Sequence, residues 1–137
     1  MAEVLNLLMR WLHIASAVAL IGGILFARLV MTPAMQSLAP ESRKDLGNRA
    51  AAAFRPLVYA GIAGLILSGV YNIVSNPGHS ARYHMLLGIK LLLAAHVFAV
   101  AILIVKPDNP RRTRMMTGTL ISGLIIILIA AYLRRIF

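Results

Sequence analysis

The sequence has no cysteine, which removes disulfides, thiolate metal sites and thiol catalysis together. Acid is nearly as scarce. Four carboxylates, Glu3, Glu41, Asp45 and Asp108, stand against fourteen lysines and arginines. Each lies near the N-terminus or in a polar stretch, so no long apolar run contains one. That placement argues against proton-coupled export of cations, which needs an acid at membrane depth. Low-complexity tracts and clear internal repeats are also missing.

What is present is apolar. Of 137 residues, 60% are hydrophobic, above the roughly 45–50% of soluble domains. Four runs, at about 5–31, 56–74, 83–105 and 115–133, are each near the ~20 residues that cross a bilayer. Between them lie "TPAMQSLAPESRKDLGNR", "SNPGHSAR" and "KPDNPRR", polar stretches marked by proline and turn residues. The pattern predicts an all-α integral membrane protein with a single domain over residues 1–137. Short connections make an antiparallel four-transmembrane-helix bundle the natural architecture. The first run exceeds a signal-peptide core and has no clear cleavage site after it, so it is expected to remain as a span.

The net charge of +10 would suggest nucleic acid in a soluble domain. Here the cations cluster beside apolar runs, the pattern that orients a membrane protein, and no nucleic-acid partner is expected. The first connection holds Arg43, Lys44, Arg49 and Arg55, and the third holds Lys106, Arg111, Arg112 and Arg114. Arg10, Arg82, Arg134 and Arg135 lie at the other side. The positive-inside rule then places both termini outside, as in a bacterial inner membrane protein. Small residues are expected to mark the packing seams: Ala17, Gly23 and Ala27; Gly61, Gly64 and Ser68; Gly88, Ala95 and Ala99; Gly118, Ser122 and Gly123.

The informative polar residues within the runs are His13 and Arg28, Tyr71 and Asn72, Lys90 and His96. Ionisable groups at that depth are costly and point to a function or a partner. Counted at ~1.5 Å per residue, His13 and Lys90 lie level, His96 about one turn deeper and Arg28 at the inner end. Both histidines are expected to face inward. Two inward imidazoles on different helices suit the axial positions of a b-type haem. Its propionates would supply the missing anions to Lys90, Arg82 or Arg28. The same histidines could instead bond neighbouring helices, leaving a small structural subunit of a larger complex. Lys90 and Arg28 could equally snorkel to the interface. A third possibility is copper: His79, His84, Met85 and Met9 gather thioether and imidazole at the outer end, ligands that suit Cu(I). Trp11 and Tyr132 read as interface aromatics.

Two stretches carry a family resemblance. "WLHIASAVALIGGILFARLVMTPAM" resembles the first span of the HemJ-type protoporphyrinogen oxidases, and "YHMLLGIKLLLAAHVFAVAIL" is similar to their third, with its lysine and following histidine. "FRPLVYAGIAGLILSGVYNI" stands in the place of the second. Both quoted spans also resemble the CopD-like copper-resistance membrane domain. The resemblance implies a four-helix membrane bundle with haem b and, for the HemJ group, oxidation of protoporphyrinogen. His13 and His96 would then be the haem-associated histidines, and Arg28 and Lys90 their polar partners. "LIGG" departs from that group, which has a tryptophan before the glycine. The partners implied are the bilayer, a porphyrin substrate and a redox partner, with a homo-oligomer left open. Copper remains the alternative cofactor, and enzymatic activity remains open.

Overall fold

The structure, a computed structural model, describes residues 2–75, 78 and 80–136. Four long helices carry it, with no strand among the described residues: α1 (Ala2–Phe26), α2 (Pro40–Ser75), α3 (Ala81–Ile104) and α4 (Arg112–Ile136). All four are long and apolar enough to cross a membrane. The first helical path continues past Phe26 through a π-helical turn, Ala27–Met31, and short turns to Ser37. Pro33 has no N–H to give that ladder. The turn widens so that the Thr32 N–H reaches the Ala27 carbonyl, which also accepts from the Thr32 hydroxyl at 2.7 Å.

Helix α2 corrects one expectation. The first connection was expected to be polar loop as far as Pro56, yet the helix starts at Pro40 and runs through Pro56 for 36 residues. Pro40 suits a first helical turn, Glu41 complements the positive end of the dipole, and Ala50 to Ala53 are the best helix formers. At ~1.5 Å per residue the helix is about 54 Å long, well beyond a ~30 Å hydrocarbon core. Its first four turns have almost no apolar face to bury, so apolar patterning could not reveal them.

Helix α1 packs along α2, α3 packs along α4, and the two pairs meet through α1 with α4 and α2 with α3. The α1 and α2 contacts run in opposite register: Asn6 with Tyr71, His13 with Ser68, and Gly23 with Phe54. Small residues make the close approaches. A Cβ on Gly64 would overlap the Ser16 hydroxyl, and one on Gly123 would sit 2.6 Å from Ile21 Cδ1. Gly61, Gly64 and Ser68 are buried as expected, as are Ser122 and Gly123. On α3 the expected seam is wrong. Gly88, Ala95 and Ala99 are exposed, while Val97, Ala101 and Ile104 are buried. The seam is set by larger side chains that fill the space against Leu20, Val58 and Leu120.

The apolar core is confined to one half. Leu20, Ile24, Val58, Val97, Ile104 and Met116 belong to it, and all lie toward the end that carries residues 35–55 and 105–115, hereafter the basic end. Here cations cap a helix. The Arg55 guanidinium donates to the Val105 carbonyl at 2.9 and 3.2 Å, and Arg112 donates to Ile104 at 2.9 Å and Lys106 at 2.7 Å. These are the carbonyls that the end of α3 leaves without helical donors. Asp108, in the left-handed region at φ 54°, trades two 3.0 Å hydrogen bonds with Asn48 and lies 3.4 Å from Lys44 Nζ. The Asn48 hydrogen bond, and then Lys44, hold its carboxyl below the usual range.

Candidate functional site

At the opposite, terminal end the packing differs. Among the described residues of α3, none from Ala81 to His96 is buried. Polar side chains occupy this half instead. The Tyr71 hydroxyl donates to Asn6 Oδ1 and ties α2 to α1. One to two turns further in, His13 stands half-buried with Nδ1 2.8 Å from Ser68 Oγ.

The Ser68 hydroxyl anchors that imidazole. Fully buried, it gives its single proton to the Gly64 carbonyl at 2.7 Å, one turn back along α2. Its oxygen also meets His13 Nδ1, so the ring is held through that nitrogen and Nε2 points away from the contact. An imidazole fixed by a hydrogen bond through one nitrogen is oriented to ligate through the other. Lys90 on α3 is half-buried and close enough for its charge to act on His13. The two ion pairs among the described residues are Lys44 with Asp108 and Arg49 with Asp45. Neither involves Lys90.

His96 lies elsewhere. Its Nδ1 is 3.0 Å from Ser122 Oγ, yet the residue as a whole is exposed, contrary to the expected inward orientation. Ser122 neighbours Gly123, against which Ile21 packs. The register thus sets His96 near the Ile21 turn of α1, about eight residues and ~12 Å below His13. The expected offset was one turn. The two histidine turns therefore lie at different depths along the bundle.

Arg28 also stands apart. It lies in the π-helical turn, about 22 Å below His13 at ~1.5 Å per residue, and its Nε donates to Thr117 Oγ1 at 2.8 Å. Of the four expected cofactor residues, the fold brings His13 and Lys90 together and leaves His96 and Arg28 at other depths. Of the copper candidates, His79 lies outside the described residues. His84 sets its ring edge-on to Tyr83, with centroids 5.9 Å apart, and Met85 is exposed. Among the described residues no group of three or more His, Cys, Asp or Glu side chains could hold a metal.

Sequence reasoning had placed Ser68 and Ser122 on helix seams without seeing them as histidine partners. A hydroxyl at matching depth on the facing helix was the available signal. No protein-family pattern, curated protein or solved structure matches the chain.

Proposed function

We propose that the chain is an integral membrane protein, an antiparallel four-helix bundle that binds b-type haem at its terminal end through His13 and serves as a redox protein. Membrane insertion is supported by the outward face of the helices: Leu92 is 75% exposed, Val74 73% and Leu128 69%. Apolar surface on that scale is tolerated in lipid and aggregates in water. Twofold more cations at the basic end put that end in the cytoplasm and both termini outside, as in a bacterial inner membrane.

The single observation that supports the haem reading is the 2.8 Å contact between His13 Nδ1 and the buried Ser68 hydroxyl. An imidazole held through one nitrogen is oriented to ligate through the other, so His13 would hold the iron through Nε2. Lys90 on α3 adds a cation suited to pair with a propionate. Haem, when bound, supplies a one-electron redox centre. The chain's own work is to orient the imidazole, to neutralise a carboxylate with Lys90 and to keep water away with lipid-facing apolar helices. In the HemJ-like form of this reading, a porphyrinogen is the electron donor and Lys90 holds one of its carboxylates or one from haem.

A reduced-minus-oxidised visible spectrum of the purified protein, with metal analysis, tests this. Haem absorbance is expected in the native protein and lost in His13→Ala. Copper at unit stoichiometry without haem would replace this reading with copper handling at the terminal end. Colourless, metal-free protein would leave a structural subunit.

A further inference from the structure

The basic end holds a feature that no haem chemistry uses. A cleft of about 590 Å³ opens between α1, α2 and the start of α4, within the ~300–1,000 Å³ range of ligand sites. Phe26, Phe54, Leu57 and Met116 contribute apolar walls, while Arg43, Lys44 and Arg112 line it without any acidic residue. The cleft follows α1 from Met31 back to Ala19, about 18 Å at ~1.5 Å per residue. It is a long apolar groove with cations at one mouth.

Lys44 shares an exposed ion pair with Asp108, while the two arginines are held chiefly by neutral groups. Arg43 donates to the carbonyls of Met35, Gln36 and Leu38, and Arg112 to two carbonyls and the Asn48 side-chain oxygen. Every acceptor is neutral, so both guanidiniums are positioned without a direct ion pair, although the Asp108 carboxylate lies close enough to act on Arg112. Gly47 lets Arg112 lie against α2, because a Cβ there would sit 3.1 Å from Arg112 Nη1. The wall also includes Ala27 and Met31 of the π-helical turn, a distortion that often marks a working site.

We propose that this cleft binds an anionic phospholipid, with the phosphate at Arg43, Lys44 and Arg112 and one acyl chain along the groove. Charge complementarity selects an anion, and the apolar length selects a tailed one. Basic pockets beside membrane helices on the cytoplasmic side take acidic headgroups in this way. The proposal rests on the membrane insertion proposed above and is independent of haem.

The test is native mass spectrometry of the full chain in nonionic detergent, offered equal phosphatidylglycerol and phosphatidylcholine of matched chains. Phosphatidylglycerol is expected to be retained about 10-fold better, with Arg112→Gln and Lys44→Gln each weakening it about 5-fold. Ala50→Phe, which fills the groove and leaves every cation in place, is expected to abolish retention with an unchanged melting temperature. Lys44→Gln, at an exposed ion pair, keeps the test valid should another variant fail to fold. Equal retention of the two lipids, or retention unaffected by Ala50→Phe in folded protein, would overturn the proposal. Inorganic phosphate alone binding as tightly as the lipid would assign the site to a soluble anion and overturn it too. Haem absorbance of the same samples reports separately on the reading above.

Discussion

The two ends of the bundle use different means of holding helices together. At the basic end, apolar side chains from all four helices interlock, and arginines close the exposed end of α3. Toward the terminal end, Leu133 is buried, Gly64 approaches Ser16 and Leu12 closely, and α1 meets α2 through Ser68 with His13 and Asn6 with Tyr71. Packing specifies one structure, whereas polar contacts at membrane depth contribute little net stability and persist where they serve a site. The contrast places the packed core at one end and the proposed site at the other.

The largest effect is expected in the packed half. Leu20 is fully buried, so Leu20→Ala should cost about 3 kcal/mol in detergent unfolding. Leu8→Ala, at a residue 56% exposed near the terminal end, should cost under about 0.5 kcal/mol. Equal losses would erase the distinction between the ends. Next is the Ser68 hydroxyl. Ser68→Ala removes the hydroxyl that holds His13 Nδ1, and affinity for the proposed haem should fall about 10–100-fold, as for other residues that orient a metal ligand. Ser122→Ala, which touches His96, should leave haem affinity unchanged in the same titration.

A smaller gain is expected from Thr119, whose buried Oγ1 has no hydrogen-bond partner among the described residues. Thr119→Val removes that unsatisfied atom at nearly constant shape and should stabilise the bundle by about 1 kcal/mol. A loss would mean that the packed half depends on this hydroxyl. The smallest effect is that of Asp108, because it is exposed. Its carboxyl is held lower than in the unfolded chain, so its contribution is complete above the ordinary value of about 3.9. That contribution disappears as pH falls through the folded value beneath it. Melting between pH 5 and 2.5 should show a slightly steeper acid loss in the native protein than in Asp108→Asn.

The four apolar helices were legible because each is a long run punctuated by proline, glycine and charge. The first turns of α2 were not, since a helix that buries little has no apolar period, and only its alanines and first-turn Glu41 betray it. His13 was legible as a lone imidazole in an apolar run, and Lys90 as a cation without an acid. His96 was misplaced because depth was counted from span ends, whereas packing of Ile21 on Gly123 sets the true register. The basic cleft was hidden, being assembled from residues far apart in the chain.

The proposed haem site uses His13 and not His96. The visible spectra of His13→Ala and His96→Ala at matched protein concentration separate the two. Haem is expected to be lost from His13→Ala and retained, with an unaltered reduced spectrum, in His96→Ala. Loss from both variants would make the histidines a ligand pair and contradict this assignment, and retention in His13→Ala would contradict the site itself.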